Sequence, residues 1–127
     1  MLHTFVIFSV SIFLSSPACN KKVTQTNASL TGMWKLTEEI NDPGDGSGTW
    51  KPTKNTSAYI RFKKDSTIET NVSYIEGLNR YTVNKDKITF SAPNTASYTY
   101  RYLLDNKLLE IYPNCFEKCG LRFHKQE

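Results

Sequence analysis

Three cysteines set the chemistry that can be argued first: Cys19 stands alone near the N-terminus, while Cys115 and Cys119 are separated by three residues near the C-terminus. In a reducing compartment a C-x3-C pair suggests metal or redox chemistry, whereas in an oxidising one the default is a disulfide. Zinc needs four ligands, and beyond two thiolates the residues after Cys19 offer only one histidine, His124, on a neighbouring segment, so no metal is expected. Redox catalysis is not expected either, because the motif is not C-x-x-C and does not open a helix, where a thiolate would be stabilised. The other titratable groups compose no catalytic set: there is no Gly-x-Ser-x-Gly, no His/Cys cluster and no pair of acids held apart from the rest. The sequence therefore predicts neither an enzyme nor a cofactor.

The compartment is decided by the N-terminus. Phe5 to Leu14 is a short apolar run followed at once by Ser15, Ser16, Pro17 and Ala18, which is the anatomy of a signal peptide. The run is roughly half of the about 20 apolar residues that span a bilayer, so a permanent transmembrane helix is not expected. Its flank, Met1 to Thr4, holds no Lys or Arg. Ser16-Pro17-Ala18-Cys19 resembles a bacterial lipobox, with Ser16 where a Leu is usual. That resemblance implies a lipoprotein signal peptide over residues 1–18 and a lipid on Cys19. Ordinary cleavage after Ala18, giving a secreted protein with a free Cys19 thiol, also satisfies a small-x-small rule. Cysteine arithmetic favours lipidation, because an odd thiol in an oxidising compartment is a liability, and removing Cys19 from the count leaves Cys115 and Cys119 as a pair. Two or three acyl chains, at about 0.8 kcal/mol per buried methylene, anchor durably where one does not. The expected location is the cell envelope, at the outer membrane or facing the periplasm.

Residues 19–29 read as the lipidated Cys and a polar tether, and residues 30–127 as one domain. All 16 Lys and Arg and all 12 Asp and Glu follow residue 18, so the mature part carries the net +4. The cations are spread along the strands with no basic block, which predicts a solvated surface and no nucleic acid, with mild attraction to anionic headgroups or glycans. A monomer is expected.

From Leu30 onward the apolar residues recur with a period of two, and no window sustains a helical period. Trp34, Leu36 and Ile40 alternate with Lys35, Thr37 and Glu39; Ile60 and Phe62 with Tyr59 and Arg61; Ile68 and Val72 with Glu69 and Asn71. The pattern continues through Tyr81–Val83, Ile88–Phe90, Tyr98–Leu104, Leu109–Ile111 and Leu121–Phe123, which makes eight strands. Lys64-Asp65-Ser66, Asn84-Lys85-Asp86 and Asp105-Asn106 lie between them as hairpin turns. The predicted fold is all-β, an eight-stranded antiparallel up-and-down barrel, whose interior at that strand number is filled by side chains or holds one small ligand.

Two segments break the short-turn rule. Residues 41–57 form a long loop rich in Gly, Pro and Asp with one large side chain, Trp50, expected to pack down over the mouth of the barrel. Its Asp42, Asp45 and Ser47 oxygens fail the spacing of a calcium loop. Pro113 to Gly120 joins the last two strands and carries the cysteine pair, whose disulfide would fix the final hairpin. Asp65-Ser66-Thr67 resembles a short bacterial O-glycosylation acceptor, with a plain hairpin turn as the simpler reading.

Gly32-Met33-Trp34 at the start of the first strand, with Arg122 on the last, resembles the Gly-x-Trp opening of lipocalins and the basic residue that lies across it. The layout through Cys119-Gly120-Leu121-Arg122-Phe123 is similar to the lipocalin-like lipoproteins of Bacteroidetes. The resemblance implies a barrel base in which Gly32 lets the chain turn closely, Trp34 plugs the end and Arg122 stacks on the indole. Two functional readings stay open. In one, a membrane-anchored barrel accepts a small apolar or amphipathic ligand between Phe62, Tyr81, Phe90, Tyr98, Tyr100 and Tyr102, covered by Trp50. In the other, the same residues fill the barrel and the protein is a structural or protein-interaction lipoprotein.

Overall fold

The structure, a computed structural model, describes residues 29–127. The signal segment, Cys19 and the tether up to residue 28 lie outside the described residues. Nine strands follow in chain order: β1 Gly32–Asn41, β2 Lys51–Pro52, β3 Tyr59–Phe62, β4 Ile68–Thr70, β5 Arg80–Asn84, β6 Lys87–Ser91, β7 Tyr98–Asp105, β8 Leu108–Tyr112 and β9 Cys119–Lys125. All pair antiparallel in the order β4-β3-β1-β9-β8-β7-β6-β5, with the two-residue β2 laid beside β1. β4 meets β5 through a Thr67–Arg80 bridge, flanked by Ile68 N–H donating to the Asn79 carbonyl at 2.9 Å and Tyr81 N–H donating to the Ser66 carbonyl at 3.0 Å. The sheet is thus a nearly closed up-and-down barrel. The eight expected strands are β1 and β3 to β9; β2 lies inside the segment read as a loop.

Alternation sets the faces. Ile60 and Phe62, Ile88 and Phe90, Leu109 and Ile111, and Leu121 and Phe123 are buried in one core, while Arg61, Glu69, Lys87 and His124 are exposed. Each large apolar side chain so buried contributes roughly 1.5–3 kcal/mol. The hairpin turns contain Ser66, Lys85 and Asn106 at φ 65°, 56° and 49°, the left-handed region in which tight turns close.

Both ends of the barrel are stoppered. At the base, Trp34 is fully buried, its indole N–H donates to the Leu30 carbonyl at 2.6 Å, and Gly32 turns the chain at φ 127°. A Cβ on Gly32 would lie 3.1 Å from Lys125 Cε, so the close turn expected there is present. At the other end the β4–β5 connection, which holds a 3₁₀ turn at Ser73–Ile75, folds Val72, Ile75 and Leu78 into the core. Tyr100 secures it by donating its hydroxyl to the Tyr74 carbonyl at 3.1 Å.

One irregularity redirects the outer wall. The β1–β9 register shifts between Leu36 and Glu38, after which Glu38 faces Arg122 and Ile40 faces Gly120. A bulge of this kind exchanges inside for outside. Ile40 is therefore buried but stands apart from the core to which the sequence pattern assigns it.

Candidate functional site: packed interior and outer-wall latch

The residues expected to line a pocket divide into two groups. Phe62, Tyr81, Phe90 and Tyr100 come together inside the barrel: Tyr81 meets Phe62 edge-on at 4.8 Å between ring centroids, Phe62 lies 6.4 Å from Phe90, and Phe90 lies 6.0 Å from Tyr100. Such edge and tilted contacts are the favoured packing of aromatic rings. Their hydroxyls are used internally, Tyr81 donating to the Lys63 carbonyl at 3.2 Å and Tyr100 to that of Tyr74. Burial raises the pKa of Tyr81, Tyr100 and Tyr102 above the ordinary tyrosine value. Tyr102 is half-buried against the core, and Tyr98 is 47% exposed at the rim.

Trp50 does not cover the mouth. It lies on the outer wall, edge-on to Tyr112 at 6.3 Å, with Arg122 stacked 3.9 Å above its ring. The close approach needs Gly120 beneath it, where a Cβ would stand 2.9 Å from the indole Cη2. Arg122 is accordingly not the partner of Trp34, as the family resemblance implies. Leu121 and Phe123 occupy the inward positions of β9, so Arg122 must point out, and the cation over Trp34 is Lys125, with Nζ at 5.2 Å. Gly32 and Trp34 stand together at the base, and Arg122 does not join them.

Arg122 is the hub of a polar latch. Its guanidinium contacts Glu38 at 2.8 Å and Glu110 at 2.8 and 2.9 Å, and Tyr112 donates its hydroxyl to the other Glu110 oxygen. The register places Glu110, Arg122 and Glu38 in one cross-strand row over β8, β9 and β1. Burial lowers the pKa of Arg122, but the hydrogen bonds to Glu38 and Glu110 outweigh this and raise it. Burial and the Glu110 carboxylate push the Tyr112 hydroxyl up to about 12.

The long loop is pinned to this wall rather than left loose. Asp42 Oδ1 accepts from the N–H groups of Gly44 and Gly46 at 2.9 and 3.1 Å, and Oδ2 from Gly48 at 3.0 Å. These bonds, that of Gly44 foremost, lower the Asp42 pKa. Thr53 ties β2 to β1 by donating its hydroxyl to Glu39 at 2.6 Å and its N–H to the Thr37 carbonyl at 2.9 Å. Beside it lies a half-open groove of about 270 Å³ lined by Glu39, Asn41, Lys51, Lys54, Tyr74 and Leu121.

Cys115 and Cys119 form the expected disulfide. In the Asp65-Ser66-Thr67 turn Asp65 accepts from the Thr67 N–H and hydroxyl at 3.1 and 2.6 Å. Sequence reasoning missed Glu38, Glu110 and Tyr112, and the part that Ile75 and Leu78 play beside Val72 in the stopper. The available signal was Tyr112 continuing the β8 alternation beside a Glu–Arg pair that the register aligns. Comparison with family models, with curated proteins and with solved structures finds no match for this chain.

Proposed function

We propose that this protein is an envelope lipoprotein, anchored through Cys19, whose filled barrel works through its outer surface as an interaction module. The observation that carries this reading is the packing of Phe62, Tyr81, Phe90 and Tyr100 on one another between two stoppered ends, with the hydroxyls of Tyr81 and Tyr100 turned to backbone carbonyls of the chain itself. A ligand in that position would displace side chains that already contribute the core. The anchor rests on Ser16-Pro17-Ala18-Cys19 following the apolar run. Native mass spectrometry of protein purified from its own host tests the first part: the expected mass is polypeptide plus acyl chains, and a stoichiometric small molecule would overturn it. Replacing Cys19→Ser should move the protein to the soluble fraction; unchanged fractionation would refute lipidation.

The small-ligand reading keeps one observation in its favour. The groove of about 270 Å³ joins Ile40, Pro52, Tyr74 and Leu121 to the charged Glu39, Lys51 and Lys54, a mixed lining that suits a small amphipathic guest better than a fully apolar one. The same mass measurement decides between the two.

A further inference from the structure

The outer face of β5, β6 and β7 carries an arrangement that the fold alone does not require. Lys87 on β6 stands directly opposite Arg101 on β7, and Asn84 and Tyr112 continue that row on either side. Like charges directly opposite on neighbouring strands destabilise a sheet. Among the described residues the ion pairs are Arg61–Glu69, Lys63–Glu69, Lys107–Glu127 and the two of Arg122, so neither Lys87 nor Arg101 has a carboxylate partner. Glu110, diagonal to Arg101 across β7 and β8, already spends both oxygens on Arg122 and Tyr112.

Arg101 is also held in place without an ion pair. Its guanidinium lies 4.5 Å over the Tyr112 ring, so its free edge is presented outward at little further conformational cost. The adjacent row on the same face is Thr82, Thr89 and Thr99, in register over three strands, with the hydroxyls of Thr89 and Thr99 2.8 Å apart. Beyond it comes Arg80 opposite Ser91, four residues along β6 from Lys87, or roughly 13 Å.

We propose that this face binds an acidic polysaccharide, with Lys87, Arg101 and Arg80 meeting its carboxylate or sulfate groups and the threonine row meeting its hydroxyls. The inference deepens the outer-surface reading and rests on it. Cations set on either side of a threonine row, with Leu103 exposed two residues beyond Arg101, fit an extended chain of hydroxyl-bearing, charged rings. A bilayer is the competing anionic surface, and the in-register threonine row, which offers hydroxyls to a hydroxyl-bearing chain, favours the polysaccharide. A single-stranded nucleic acid would need free aromatic rings to stack its bases, and Tyr112, which borders this face, is covered by Arg101.

The test is affinity electrophoresis of the purified full chain in gels containing polygalacturonate or dextran sulfate, with neutral dextran, phosphatidylglycerol vesicles and an oligothymidylate as competitors. The acidic polymers should retard the protein in a salt-dependent way, and neutral dextran should not. K87Q and R101Q should each weaken retardation on the order of tenfold, while K64Q leaves it unchanged. K87Q should at the same time raise the melting temperature, since it relieves the like-charge pair; a merely structural lysine would lower it. Equal loss in the K64Q control, equal retardation in neutral dextran, or tighter binding to vesicles or oligonucleotide would overturn the proposal. A protein that binds none of the polymers and carries no co-purified ligand loses the polysaccharide and keeps the outer-surface reading.

Discussion

Removing the guanidinium of Arg122 is the sharpest perturbation of the outer wall, because one side chain holds three others. Its side chain is 21% exposed, and those of Glu110 and Glu38 are 13% and 32% exposed. A fully exposed ion pair contributes about 0–1 kcal/mol, whereas stripping the partner from a buried one costs about 3–5 kcal/mol. The latch lies between these limits and carries two carboxylates that would face each other unpaired across β9. Losing the stack on Trp50 adds about 0.5–1 kcal/mol. Arg122→Ala should therefore destabilise the fold by about 2–3 kcal/mol, which for a domain of this size lowers the melting temperature by roughly 10–20 °C. Thermal melts followed by circular dichroism measure it. Fluorescence identifies the indole involved: in a Trp34→Phe background, Arg122→Ala should red-shift the emission of Trp50, while in a Trp50→Phe background Trp34 should not respond. A fall in melting temperature below roughly 3 °C, or a response from Trp34 alone, would show that Arg122 is a surface residue or belongs to the base after all.

Two further outcomes follow from the same wall. Gly120→Ala places a Cβ 2.9 Å from Trp50 Cη2, so the indole must lift and the segment over residues 43–50 should exchange its amide protons faster, with the amides of β3 and β6 unchanged. The Tyr112 hydroxyl has its pKa raised to about 12 in the folded chain, against the ordinary 10 when unfolded. Between those pH values the folded state keeps a proton that the unfolded state has released, so this contribution is complete below pH 10 and is lost as pH rises through 12. Urea denaturation of Tyr112→Phe should show a shallower decline over that window than the parent, and an identical slope would refute the rise that burial and Glu110 give the hydroxyl.

How much of this was legible follows from what period-two patterning can carry. It reports which strands exist and which face is buried, and for Ile60/Phe62, Ile88/Phe90, Leu109/Ile111 and Leu121/Phe123 the buried face is the inward one. It cannot report a residue inserted into one strand. The shift between Leu36 and Glu38 leaves no mark in the sequence beyond a run of polar side chains, yet beyond it every side chain of β1 changes sides. That single insertion turns Ile40 outward, aligns Glu38 with Arg122 and creates the bed on which Trp50 lies. A sequence reading that carries the alternation straight through assigns Ile40 to the core and leaves Trp50 only the barrel mouth. The mouth itself is hidden for a different reason: Val72 continues the alternation of β4, and Ile75 and Leu78 follow it at intervals of three, neither a strand period nor enough turns to declare a helix, so nothing in the pattern marks a stopper. The outward rows were absent from the reading because polar residues on wet faces show no periodicity of their own. Only register, which pairs Lys87 with Arg101 and lines up three threonines, turns such residues into a surface. Register comes from how the whole barrel closes, so the chemistry most relevant to function is the part that the local sequence is least able to announce.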